Sequence, residues 1–196
     1  MSGHSKWSQI KRKKGAEDQK RSKIFSMLVK TINVEMKRAN GDRSSANVRK
    51  AIERAKAANM PNDNIERAIK NAAGNTGSAM EEVTYEAYGP GGAALIIEGI
   101  TDNRNRTSQE IKFILSKNNS SLAAPGAASW AFTRTPEGVW QPNNLMELSE
   151  TDAQALANLI DTLEENEDVK KVYDNAGLSD WSRLWASRCR NNWETK

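Results

Sequence analysis

The chain has 196 residues, of which 28% are charged and 37% apolar, with a formal net charge of +4 and a single cysteine and histidine. That composition is globular, with enough chain to bury a core in one large domain or two small ones, and it excludes a disordered segment. No apolar run approaches the about 18 residues of a membrane helix, no apolar stretch backs the basic N-terminus as a secretory signal would require, and lone Cys189 excludes an internal disulfide. With one His beside it, there is almost no protein-only route to a zinc site. A reducing, cytoplasmic location and the absence of a cofactor or metal are the expectations.

The net charge hides an asymmetry. Residues 1–75 hold 18 Lys and Arg against 7 Asp and Glu, a net +11, whereas residues 76–180 hold 7 against 17, a net −10. Residues 181–196 add a net +3. A basic module joined to an acidic one suggests a polyanionic partner for the first. It also allows the acidic half of one chain to attract the basic half of another.

The chain opens with "GHSKWSQIKRKKG", which carries five cations, Trp7, the only His and no acid. From Glu17 to Ala39 the apolar residues Ile24, Phe25, Leu28, Val29, Ile32 and Met36 recur at spacings of three and four, which predicts a helix. Asn40-Gly41 stops it. Ser44 or Ser45 caps a second helix with Val48, Ala51, Ile52, Ala55 and Ala58 on its apolar face. Met60-Pro61 breaks that helix, and a third starts near Asn62-Asp63 on Ile65, Ala68 and Ile69. Gly74 to Ser78 reads as a flexible joint.

The pattern then changes. "EEVTYEAYG" alternates, with Val83, Tyr85 and Ala87 on one face; Gly89 to Gly92 is a tight turn; "AALIIEGIT" is a mostly buried strand. Asp102 to Thr107 leads into a helix on Ile111, Ile114 and Leu115. Leu122 to Gly126 reads as a loop, "AASWAFTR" as a third strand and "TPEGVWQPNN" as a connection. Ser149 starts a helix on Leu156, Leu159, Ile160 and Leu163, and "VKKVYD" is a last strand. The predicted fold class is α+β: an N-terminal three-helix domain followed by a ββαβαβ sheet-and-helix domain. In the tail, Leu178, Trp181, Leu184 and Trp185 have helical spacing.

"GHSKWSQIKRKKGAEDQKRSKIF" strongly resembles the opening of the YebC/PmpR family, described as probable transcriptional regulators whose mitochondrial relatives are translational activators. "NMPNDNIERAIKNAAG", "YEAYGPGGAALIIEGITDNRNRT" and "LIDTLEENEDVKKVYDNA" resemble further blocks of that family in order, covering about residues 2–135 and 146–176. The resemblance implies three domains, the third inserted within the second. Here most of the third is expected to be missing, and "SLAAPGAASWAF" replaces a more polar loop. The expected organisation is a basic three-helix domain at 1–77, an α+β domain at 78–176 with a linker at 136–145 in the third domain's place, and a basic amphipathic helical tail at 177–196.

Lys6, Lys11, Arg12, Lys13, Lys14, Lys20, Arg21 and Lys23 fall within 18 positions. Such a cluster can track phosphates, because each phosphate neutralised releases condensed counterions. Trp7 can stack on a base or anchor the segment to its own domain. The plain alternative is a solvated charged face. The third helix offers Asn62, Asn64, Arg67, Lys70 and Asn71, a narrow polar strip that can meet base edges. His4 has no partner for a catalytic arrangement, and Gly89 to Gly92 lacks the Lys-Ser/Thr of a phosphate loop. No catalytic residue is assigned. Arg104, Asn105, Arg106 and Thr107 stand at a predicted helix start, where amides and two guanidiniums can hold an anion or a partner. Equally, Asp102 or Asn103 can cap that helix while the arginines pair with local acids. Glu164 to Asp168 reads as a solvated helix end.

The expected function is therefore a non-enzymatic regulator of gene expression that binds DNA through its basic helical domain. Contact with the transcription machinery fits the same reading. The alternative is a translation factor on the ribosome, ribosomal RNA or tRNA, since the basic chemistry reads backbone and not sequence. A protein-interaction module is a third reading. Oligomeric state is open.

Overall fold

The computed structural model describes residues 3–73, 80–136 and 138–177, with side chains from Asp18 onward. The tail residues Leu178, Trp181, Leu184, Trp185 and Cys189 lie outside the described residues. The chain forms two compact units, one running to Glu82 with Ile100–Asn103 added, the other comprising Val83–Gly99 and the chain from Arg104.

The first unit is three helices, α1 (Gly3–Arg38), α2 (Ala46–Ala57) and α3 (Asn62–Ala73). The periodicity predicts a start for α1 at Glu17, but the helical backbone begins at Gly3. The residues between are mostly Lys, Arg, Gln, Ser and Ala with no proline, and a Gly at position 15 costs only about 1 kcal/mol against Ala. Ile32, Met36, Val48, Ala51, Ile52, Ala55, Met60, Ile65, Ala68 and Ile69 form its core.

The C-terminal ends of α1 and α2 share one design. Asn40 and Asn59 adopt positive φ, 50° and 58°. The next amide reaches back five residues, Gly41 N to Met36 O at 2.9 Å and Met60 N to Ala55 O at 3.0 Å. Asn tolerates the left-handed conformation better than other residues with a Cβ, and the two bonds satisfy carbonyls left open at a helix end.

The second unit is built on a four-stranded sheet in the order β3-β1-β2-β7. Its strands are β1 (Glu81–Tyr88), β2 (Ala94–Thr101), β3 (Ser121–Leu122) and β7 (Val169–Asp174), with helices α4 (Arg104–Lys117) and α5 (Glu150–Glu165). β2 pairs antiparallel with β7, and β1 with β3. β2 is buried on both faces. Leu95 and Ile97 pack with Ile111 and Leu115 of α4 and with Leu156, Leu159 and Leu163 of α5. Ala94 and Ile96 pack against Ala128, Ala131 and Phe132 on the other face. Burial on both sides explains why this strand reads as a near-continuous apolar run and not as an alternation.

The turn between β1 and β2 holds Gly91 at φ 66° and Gly92 at φ 82°, and a strand follows it. At the other end of β2 the register with β7 shifts between Glu98 and Gly99. A Cβ on Gly99 would stand 2.6 Å from the Asp168 carbonyl oxygen, so only glycine lets the two backbones approach this closely.

Three expectations are corrected here. The sheet's extra edge strand is β3, which was not expected and runs from Ser121 into Leu122, the first residue of the expected loop. "AASWAFTR" supplies a 3-10 turn (Ser129–Ala131) and then β4 (Phe132–Arg134). The expected linker contains β5 (Trp140–Pro142), which pairs with β4 in a separate two-stranded ribbon. Strands of two or three residues carry no readable period. Their apolar residues, Phe132 and Trp140, lie over the outer sheet face instead of within the sheet. A parallel pair, β6 (Met146–Glu147) with β8 (Ala176–Gly177), completes the unit.

Loop 123–131 is fastened by Glu86, whose carboxylate accepts from the amides of Gly126 at 2.7 Å, Ala128 at 2.6 Å and Ser129 at 2.8 Å. Burial pushes this carboxyl up, but the three amides and the Ser129 hydroxyl outweigh it and hold Glu86 below the usual range. Tyr88 adds its hydroxyl to Ala127 O. Asn175 is buried and ties β2 to the segment after β7, accepting from Ala94 N at 2.8 Å.

Candidate nucleic-acid interface

The helical unit carries an open groove of about 410 Å³ between α1 and α3. On α1 it is lined by Ser22, Phe25, Ser26 and Val29, a stripe at helical spacing. On the other side stand Met60, Asn64, Arg67, Ala68 and Asn71. The groove exists because small side chains, Ser22 and Ser26 on one helix and Ala68 on the other, leave the space between the helices unfilled. Phe25 and Val29, both half-buried, supply apolar surface over the buried Met60 and Ala68; the serines, the two asparagines and Arg67 supply a polar rim. Arg67 and Asn71 are exposed and Asn64 is half-buried.

The same unit carries exposed cations on all three helices. Lys20 and Arg21 are exposed on α1, and Arg21 holds its guanidinium 5.5 Å from the Phe25 ring centroid. Lys23, on the same helix, is half-buried. Arg49, Lys50, Arg54 and Lys56 on α2, and Lys70 on α3, are exposed. Arg43 is committed internally, with both terminal nitrogens on the Glu66 carboxylate at 2.9 and 2.6 Å. Lys6, Trp7, Lys11, Arg12, Lys13 and Lys14 belong to the N-terminal half of α1; their side chains lie outside the described residues, as does that of His4.

The second cluster sits at the start of α4. Arg104 and Asn105 are exposed in its first turn, and the Arg104 carbonyl accepts the Tyr85 hydroxyl at 3.2 Å. Arg106 donates to Asp168 Oδ2 at 2.9 Å and lies 3.9 Å from Glu110. Thr107 is buried and donates to the same Asp168 oxygen at 2.6 Å. Pairing with a local acid is thus the geometry of Arg106. It also corrects the solvated reading of Asp168, which is only 4% exposed. Sequence spacing gives no sign of this, because Asp168 is 62 positions from Arg106. Among the described residues no group of three His, Cys, Asp or Glu comes together to hold a metal ion. No helix there is long and apolar enough to cross a membrane.

The polar strip expected on α3 contributes Asn64, Arg67 and Asn71 to the groove. Ser22, Ser26 and Met60 were not expected there; the available signal was the pair of small residues four apart on an otherwise large-residue face.

A three-helix unit rich in exposed cations, followed by an α+β unit with a four-stranded sheet, defines the class. Residues 5–75 match the TACO1/YebC protein N-terminal domain, and residues 80–137 and 135–176 match the TACO1/YebC second and third domain. The chain belongs to the TACO1/YebC family. It is 43% identical over 193 residues to a "probable transcriptional regulatory protein" of Chlorobaculum tepidum, covering 91% of this chain and 77% of that protein. A protein of the same description from Borrelia turicatae is 54% identical over 135 residues, covering 67% of this chain and 55% of its own length. A crystal structure of a conserved hypothetical protein from Aquifex aeolicus superposes with a TM-score of 0.76 at 30% identity, over 82% of this chain and 91% of that one.

Proposed function

We propose that the protein is a non-enzymatic regulator of gene expression that binds DNA through its helical unit. The observation that carries this reading is the set of exposed cations on α1, α2 and α3, in the part of the chain with net charge +11. Phosphate contacts supply affinity by releasing counterions, and they position a protein on nucleic acid without reading sequence. The basic run from Lys6 to Lys14 belongs to the same part of the chain and adds five cations to its charge. The relatives' description as probable transcriptional regulatory proteins favours DNA.

The first domain in this reading ends near residue 77, and the α+β domain adds shape or partner contacts. In this reading the β4–β5 ribbon takes the place of the third domain that the family resemblance implies, most of which is expected to be missing. Arg104 and Asn105 offer a secondary contact for an anion or partner, with Arg106 and Thr107 held behind them by Asp168.

The test is a competition at physiological salt among a random DNA pool, a selected promoter fragment, structured RNA and ribosomal particles. Preference for DNA over RNA and over ribosomal particles supports the reading. Preference for ribosomal particles over all naked nucleic acid replaces it with translation.

A further inference from the structure

We propose that the groove between α1 and α3 seats one unstacked nucleobase, so that the protein engages unpaired stretches of nucleic acid in preference to continuous duplex. This rests on the nucleic-acid reading above and adds what the groove itself takes.

The shape comes first. A protein that reads intact duplex presents a projecting helix or ribbon to a major groove about 12 Å wide. Here Asn64, Arg67 and Asn71 of α3 line a cleft that also faces Ser22, Phe25 and Ser26 of α1. Side chains placed so converge on something inserted between the helices. The volume, about 410 Å³, falls within the range of about 300–1,000 Å³ for clefts that take small molecules. A base fits that scale and a duplex does not.

The chemistry is layered in the same sense. A nucleobase has an apolar face and a polar edge. The groove has apolar surface from the half-buried Phe25 and Val29, over a floor of the buried Met60 and Ala68, and a rim of hydroxyls and amides. Each asparagine offers a donor and an acceptor together, the combination an unpaired Watson–Crick edge requires. Arg21 already lies over the Phe25 ring, and a guanidinium plane is itself a stacking partner for a base. Arg67 lines the groove and is exposed, available to a flanking phosphate, and Lys20 and Lys70 are exposed cations of the same two helices. Charge complementarity with a polyanion selects a nucleotide over a neutral apolar ligand of similar size.

The test uses the full chain and leaves the protein unaltered in its first arm. Binding is measured by fluorescence anisotropy to a short single strand, to the same strand with scattered abasic sites, and to the matching duplex, each as RNA and as DNA. The expected result is that the intact strand binds about 5- to 150-fold tighter than the abasic strand at equal salt, the range for one stacked base, and tighter than the duplex. Asn71→Ala, at an exposed position, and Phe25→Leu, which keeps apolar volume, should each shrink that ratio. A larger ratio for RNA or for DNA identifies the strand that carries the base. Equal binding of intact and abasic strands, a preference for duplex, or a ratio unmoved by both variants overturns the seat and leaves the phosphate reading standing. Salt-independent or absent binding in every arm overturns both.

Discussion

Thr107 donates its hydroxyl to Asp168 at 2.6 Å, joining the first turn of α4 to the start of β7 across 61 positions of sequence. Arg106 closes the same oxygen from the solvent side at 2.9 Å. The carboxylate is therefore buried but doubly satisfied, the condition under which a buried charge is tolerated. Asp168→Ala removes the shared acceptor of Thr107 and Arg106, and is expected to cost about 2–3 kcal/mol of stability. Denaturant unfolding checks this; a loss below about 0.5 kcal/mol would show that the pair contributes nothing.

Glu86 gives a pH-dependent prediction. Its folded-state pKa lies below its unfolded value, so its contribution is fully present above the unfolded value of about 4.3 and is lost as pH falls through the folded value. Asp174 works in the opposite sense, because burial raises its pKa, only partly offset by the Ala176 amide. Glu86→Gln should therefore lower stability at pH 7 and flatten its decline under acid. Thermal melts of both proteins from pH 7 to pH 3 test it, and parallel curves would show that Glu86 plays no part in the acid response.

Gly99→Ala places a Cβ 2.6 Å from the Asp168 carbonyl oxygen. Neither backbone can yield without moving the β2–β7 register, so a destabilisation of about 1–3 kcal/mol is expected, the range for overpacking. An unchanged melting temperature would show that the strands separate freely there.

Long periodic elements were legible in the sequence. The apolar stripes on α2, α3, α4 and α5 are regular enough that burial follows periodicity, as Val48, Ala51, Ile52 and Ala55 show, whereas on α1 Ile24, counted in the stripe, is exposed. The start of α1 was not legible, because "GHSKWSQIKRKKG" has no apolar period to mark a helix, although its residues permit one. β3 and β5 have two and three residues, too few for any pattern. The Asp168 cluster depends on tertiary pairing over 62 positions, which one sequence does not disclose. At the candidate interface, the cations and the polar strip of α3 were readable from charge and spacing. The groove was not, because it results from small side chains meeting across two helices.

Arg67→Glu with Lys70→Glu reverses two exposed charges on α3 beside the groove. Surface substitutions of this kind usually move stability within about 0.5 kcal/mol. Nucleic-acid affinity should fall across all sequences alike, and the salt slope should shrink by about 1 for each phosphate no longer neutralised. Circular dichroism and binding on the same preparation separate the two effects; unchanged affinity and slope would move the nucleic-acid surface off α3.

Phosphate binding by the basic helical unit is tested most directly by the salt dependence of affinity. If about 4–6 of its cations meet phosphates, the slope of log K against log salt is about −3 to −5. Binding of the full chain to a DNA duplex and to a single strand between 50 and 300 mM salt (roughly the range over which such slopes are measured) should give that value. A flat response, or no binding at the lowest salt, would contradict it.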